Sequence, residues 1–215
     1  FKTLYEKGLV YKGYKIQWYS PGSGTVLSSH EVSLGYKETQ DPSIYVKFRL
    51  RQADDVYFLA WTTTPWTLPA NQALNAHPEF TYALVDVGDK LLVLLEDLVP
   101  SCLARYKLEG EIIARCTGDK LNLIEFNHPF YSRTAPIYLA DYVTADEGGT
   151  GLVHSAPAHG EDDFNSCREH GMHFDDILSL VQSNGVYTSN LEFFGNQHIW
   201  KANPLIVEKL KEVNA

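Results

Sequence analysis

Between residues 43 and 154 the chain is cut by turn residues into short segments rich in β-branched and aromatic side chains, and this spacing limits what it can fold into. Ser43 to Leu50 alternates strictly, so Ile44, Val46, Phe48 and Leu50 share one side of a strand. Val56 to Ala60 reads as a buried strand running into three consecutive threonines. Tyr82 to Val87 and Lys90 to Leu95 flank Gly88-Asp89 as the two arms of a hairpin. Glu111 to Cys116, Pro136 to Leu139 and Gly151 to His154 add further strands. Helical patterns lie mainly at the ends. Thr3 to Gly8 predicts a short capped helix stopped by glycine. Asn203 to Val213 predicts a second, with Asn203 as N-cap, Pro204 in the first helical position and Ile206, Leu210 and Val213 on one face. One interior helix is expected from Glu161 to His170, closed by Gly171. The sum is a mainly β, α+β fold: a closed or nearly closed barrel with peripheral helices.

With 44% hydrophobic and 21% charged residues in 215, a sizeable core is feasible and wholesale disorder is not expected. Cys102, Cys116 and Cys167 are scattered and odd in number, which fits a reducing interior, cytoplasm or mitochondrial matrix, better than a disulfide framework. No stretch approaches the length of a membrane span, and no signal-peptide pattern opens the chain. Because it starts at Phe1 without Met and both ends read as connectors, the chain is expected to be a piece inserted in a larger protein. Its net charge of −9 is uneven: residues 1–51 carry eight Lys/Arg against four Asp/Glu, the remainder ten against twenty-three. An acidic body argues against gripping long nucleic acid unaided, since non-specific affinity is mostly phosphate neutralisation. Inserting one nucleic-acid end into a pocket remains compatible with it.

Two segments carry groups suited to chemistry. The first is "WTTTPWTLPAN", Trp61 to Asn71, where three hydroxyls at a strand end meet an aromatic wall. Threonine also favours strands, so plain alternation with proline turns is the competing account. In the second, Gly148 to Phe164, Gly148, Gly149 and Gly151 permit a tight turn and close approach to a ligand. His154 follows on a strand, and His159, Glu161, Asp162 and Asp163 cluster before a helix. Acidic residues in a first helical turn are often simple dipole complements. An open metal site of His154, His159 and Asp163 is one reading, although the spacing matches no tight ligand motif. Ser155 lacks a nucleophile elbow, and the glycines precede a strand rather than a helix, unlike a dinucleotide fingerprint. A polar pocket that binds an amine and orients a water onto an activated carbonyl is the other reading.

Both segments resemble the signatures of the editing domain of isoleucyl-tRNA synthetase, the large insertion in a class I catalytic domain. Related valyl and leucyl enzymes carry Thr-Thr-Arg-Pro where this chain has Thr62-Thr-Thr-Pro65, so Thr64-Pro65-Trp66 favours the isoleucine enzyme. The likeness runs from Lys7-Gly-Leu-Val-Tyr11 to Phe193 through Leu210. It implies a connecting arm over 1–40, an editing core over 41–200 and a helix over 201–215 returning to the catalytic domain. The His-x-Gly-His and Lys-Met-Ser-Lys-Ser signatures of amino-acid activation are absent, so ATP and Mg are expected only in the full-length enzyme, and no cofactor or metal in this piece.

The implied activity is hydrolysis of the ester in Val-tRNA(Ile), with the tRNA 3′ end, the misattached valine and the rest of the synthetase as partners. One methylene is worth only about 1–3 kcal/mol in a pocket, isoleucine against valine being the general illustration of that limit rather than a value derived from this chain. A second, size-excluding pocket corrects the error. Carried over by position, Asp163 pairs with the substrate's ammonium, His154 shapes the sieve, and Thr62, Thr63 and Thr64 line the pocket, with Thr64, His154 and Asp163 as the catalytic set. Trp66 and Asn71 support the wall and help position the terminal adenosine, and Gly149 and Gly151 join them and the threonines in binding substrate. No dedicated general base is implied; a positioned water is. Ala158 departs from the glycine of many relatives, and no cysteine pair occurs near Trp18 to Gly22, which argues against zinc there. A non-catalytic module that only docks an aminoacylated tRNA end is the remaining alternative.

Overall fold

The structure is a computed structural model describing residues 1–215. Its first fifth is an arm on which no residue before Val46 is buried. The arm holds α1 (Lys2–Glu6), a two-strand ribbon of β1 (Tyr19–Ser20) and β2 (Thr25–Val26), and α2 (Ser29–Leu34). Ser28 and Glu31 form a reciprocal capping box that starts α2 without help from the core. α1 has no side-chain cap, contrary to the capped helix its sequence suggests. The arm touches the body through Tyr14, whose ring stacks on Phe174 with centroids 3.4 Å apart.

The body is a barrel. β3 (Ile44–Leu50) and β4 (Val56–Thr62) pair antiparallel, with Phe48 opposite Phe58. β4 leads through a 3-10 turn, Pro65–Ala70, into β5 (Ala73–Ala76). The hairpin follows as β6 (Thr81–Asp86) and β7 (Leu91–Leu95), then α3 (Val99–Tyr106) and β8 (Glu111–Thr117). β9 (Glu125–Asn127), β10 (Thr134–Leu139) and β11 (Leu152–Ser155) complete the strands. Six of them close a ring in the order β4, β3, β9, β10, β5, β11, and the last contact is parallel, Val153 against Trp61 on β4. β4 serves two neighbours on one edge: Val56 to Phe58 pair with β7, which carries β6 and β8 outward, while Trp61 pairs with β11. The threonines therefore leave the sheet where one neighbour hands over to the other.

The barrel is filled by the faces the alternation predicts. Val46 and Phe48 of β3 are buried, and Phe48 meets Phe126 edge-on with centroids 5.2 Å apart. α4 (Glu161–Glu169) lies beside β10, and α5 (Ile199–Glu212) closes the body with Ile199, Ala202, Ile206 and Leu210 buried. Fully burying side chains of the Ile206 and Leu210 type contributes roughly 1.5–3 kcal/mol each.

The start of α5 differs from the sequence expectation. His198, not Asn203, is the N-cap, and Pro204 lies inside the helix. Asn203 instead turns its Oδ1 toward the turn after β4, accepting the Trp66 N–H at 3.0 Å. A tertiary bond to a part-buried backbone donor outweighs the local cap, and Ile199 and Ala202 supply enough apolar contact to extend the helix one turn earlier. The boundary expected between 200 and 201 thus falls within one helix that is part of the core. Asn203→Ala strands the Trp66 N–H and is expected to cost about 1–2 kcal/mol, read as a lower urea midpoint at unchanged m-value.

Candidate active site

Two prolines remove donors from the turn Pro65–Ala70, yet five of its six residues are buried, so its carbonyls need partners from elsewhere. Thr67 Oγ1 donates to Thr64 O at 2.9 Å, and the Tyr187 hydroxyl donates to Trp66 O. His128 Nε2–H reaches Leu68 O at 2.9 Å, and Arg133 Nη2 donates to Pro69 O at 2.5 Å and Asn71 O at 3.1 Å. His128 Nδ1 accepts the N–H groups of Phe130 and Tyr131, which sets the ring proton on Nε2. These bonds hold the threonines at the lip of a cavity of about 490 Å³.

That cavity collects most of the expected residues. Thr62, Thr63, Thr64 and Trp66 form one wall, Gly149 and Gly151 a second, and His154, His159, Gly160 and Asp163 a third. Gly151 stands at φ +75°, and a Cβ there would lie 2.3 Å from Leu95 Cβ, so the glycine turn is dictated by packing as well as conformation. Thr64 N–H donates to Thr62 Oγ1 at 3.1 Å and the two hydroxyls lie 3.2 Å apart, leaving Thr63 and Thr64 exposed to the cleft.

His154 is committed inward. Its Nδ1 accepts Asn71 Nδ2–H at 2.8 Å, which puts the proton on Nε2, 2.9 Å from Thr67 Oγ1. Burial, with the neighbouring His159, pushes its pKa down to about 3. Both nitrogens are occupied, so His154 is a neutral piece of wall and has no lone pair to offer a water. Asn71, expected as a binding residue, does not reach the cleft: it is fully buried, tied to His154 and to Ala73 O at 2.9 Å. His159 packs edge-on against Trp66, centroids 4.9 Å apart, and burial lowers its pKa to about 4. No group of three His, Cys, Asp or Glu side chains is arranged to hold a metal ion, so the His154, His159 and Asp163 reading lacks its ligand set.

Asp163 opens the cleft's electrostatics. It sits in the first turn of α4, its Oδ2 accepting the Ala156 N–H at 3.0 Å and its Oδ1 facing the Tyr142 hydroxyl at 3.4 Å. Burial raises its pKa, and those two donors counteract the rise. No cation of the protein reaches it. Gly160 makes the carboxylate's position feasible, since a Cβ there would lie 2.7 Å from Oδ2. Thr67, Gly160 and Tyr142 were not singled out from the sequence. The glycine directly after His159 was a signal that could have been used; nothing local marks Tyr142.

Comparison with known proteins bears on family and fold. Residues 99–205 match the family described as leucyl-tRNA synthetase, editing domain. Among solved structures, the crystal structure of GlLeuRS-CP1 superposes with a TM-score of 0.62 at 16% identity, over 80% of this chain and 96% of that one. The P. falciparum cytosolic leucyl-tRNA synthetase editing domain gives 0.61 at 10% identity, over 81% and 98%. Fold and matched sequence define an editing domain of the aminoacyl-tRNA synthetase type. Isoleucine–tRNA ligase of Stutzerimonas stutzeri is 56% identical over 99% of this chain, and that of Pseudomonas aeruginosa 52%. The chain belongs to the isoleucine–tRNA ligase family, as its editing-domain segment. It spans 24% of the length of those relatives.

The buried histidines make stability depend on pH. In the unfolded chain a histidine titrates near 6.5, whereas His154 titrates near 3 when folded, and His128 is held well below 6.5 by burial and the nearby Arg133. The unfolded state therefore takes up protons first, and stability falls as pH drops below about 6.5. Asp163 acts in the opposite sense, since its raised folded pKa makes acid protonation favour the fold. The histidines dominate: acidification from pH 7 to 5 is expected to cost about 2 kcal/mol through His154 alone, seen as a falling urea midpoint.

Proposed function

We propose that this cleft hydrolyses the aminoacyl ester of mischarged Val-tRNA(Ile), as the proofreading site of an isoleucine–tRNA ligase. The observation that carries the reading is Asp163: a largely buried carboxylate facing a cavity, with two hydrogen-bond donors and no cation. Burying an unpaired charge is costly, and a ligand ammonium would remove that cost. The α-ammonium of an aminoacyl group beside Asp163 sets its ester carbonyl toward Thr63 and Thr64, whose exposed hydroxyls can hold the carbonyl oxygen and a water. Water adds to the carbonyl carbon, the ester C–O bond breaks, and the ribose oxygen leaves with a proton, giving free valine and a deacylated 3′ end. His154, neutral and braced by Asn71 and Thr67, acts as a rigid wall of the sieve. A rigid wall rejects one additional methylene better than a mobile one.

ATP and Mg belong to the activation site elsewhere in the ligase, and the cytoplasm or a mitochondrial matrix is the compartment that suits this reading. The tRNA body would be gripped outside this acidic segment. The Lys/Arg excess of residues 1–51 is suited to steering the 3′ end past Lys15, which lines a second cavity beside His159 and Gly160. Deacylation of Val-tRNA(Ile) and Ile-tRNA(Ile), by this segment and by a full-length ligase carrying it, tests the reading. Valine should be lost selectively, in the presence of chelator, and Asp163→Ala should reduce kcat/KM roughly 10- to 100-fold, the worth of a charged hydrogen bond. Chelator-sensitive hydrolysis would favour a metal enzyme instead, and binding without turnover a docking module.

A further inference from the structure

We propose that Tyr142 is a positioning residue for Asp163, held to that task by a closed polar circuit through the barrel wall. The proposal rests on the reading of Asp163 as the partner of the substrate's ammonium. Its starting point is Asn75, a fully buried amide on β5 between Leu74 and Ala76, where an apolar side chain would be the ordinary choice. Asn75 Nδ2 donates to the Tyr142 hydroxyl oxygen at 2.5 Å, and its Oδ1 accepts from Ser166 Oγ at 3.0 Å. Ser166 is buried and lies three residues beyond Asp163 on α4, so the circuit returns to the helix that carries the carboxylate.

The direction of this circuit follows from donor chemistry. An amide N–H can only donate, so the phenol oxygen accepts from Asn75 and keeps its own proton for Asp163 Oδ1, 3.4 Å away. An ionised carboxylate can only accept. Turning the amide over would place the tyrosine proton on Asn75 and leave Asp163 with the Ala156 N–H alone. As arranged, each carboxylate oxygen has one protein donor, and the lone pairs that remain are available to the cleft. The hydroxyl thus does two things: it stops the carboxylate rotating and it favours the ionised form. Asp162 and Cys167 on α4, His159 in the preceding loop and His154 across the cleft are the other titratable groups around Asp163, and replacing Tyr142 by Phe alters none of them.

The test uses a full-length isoleucine–tRNA ligase carrying this segment, with Tyr142→Phe, Ser166→Ala and Asp163→Asn compared on Val-tRNA(Ile). A second substrate bears the hydroxy-acid analogue of valine, which lacks the ammonium. Tyr142→Phe is expected to lower kcat/KM on Val-tRNA(Ile) about tenfold, mostly through KM, and to move the acid limb of the pH profile upward. On the hydroxyacyl substrate it should match the parent enzyme, and Ser166→Ala should show the same pattern more weakly. Equal losses on both substrates, or an unmoved acid limb, would mean that Tyr142 only supports the fold. If Asp163→Asn is impaired and Tyr142→Phe is not, the positioning role falls alone. If Asp163→Asn hydrolyses Val-tRNA(Ile) like the parent, the reading of Asp163 falls and takes this proposal with it.

Discussion

The site depends on satisfying the carbonyls of a buried, proline-containing turn. Pro65 and Pro69 cannot donate, and Pro65–Ala70 is packed where water cannot compensate. Thr67 within the turn, His128 and Arg133 in the loop between β9 and β10, and Tyr187 supply the missing donors, and Asn203 on α5 takes up the Trp66 N–H. A turn held at so many points cannot drift, and the three threonines at its mouth inherit that rigidity. The same bonds join barrel, C-terminal segment and cleft into one cooperative unit, so damage at α5 is transmitted to the aromatic wall of the site.

Charge within the cleft is deliberately unbalanced. His154 and His159 are kept neutral by burial, while Asp163 is kept in place by hydrogen bonds that oppose its desolvation. The two histidines flanking the loop invite a metal or a general base, but their surroundings decide otherwise for His154, whose nitrogens are both spent on Asn71 and Thr67. What the protein leaves open is a negative charge without a partner. On the proposed reading, a ligand ammonium fills that place.

The arm and the barrel are built on different principles. β1, β2, α1 and α2 carry no buried side chain and rely on local devices such as the Ser28–Glu31 capping box. Exposed Tyr11, Trp18 and Tyr36 give the arm a surface with more apolar area than a free ribbon needs, in keeping with a segment that spans only a fraction of its relatives. Trp18 nonetheless lines the cleft, so the arm contributes to the site although it adds nothing to the core.

Local chemistry determined much of this protein. Strict alternation over Ile44–Leu50 and the Gly88-Asp89 hairpin follow from the two-residue period of a strand, and the observed elements agree with them. The threonine and glycine-histidine motifs marked the cleft because their polarity suits neither a core nor a plain surface. Tertiary structure decided the rest. It closed the ring through Val153 and Trp61, moved the start of α5 to Ile199 because a bond from the Trp66 N–H to Asn203 outweighs a local cap, and withdrew Asn71 from the cleft to orient His154. It also brought Tyr142, Asn75 and Ser166 behind Asp163. Those three residues are far apart in the chain and ordinary in their own neighbourhoods. Hydrogen bonds between distant residues leave no periodicity in a sequence, so only the folded chain reveals them.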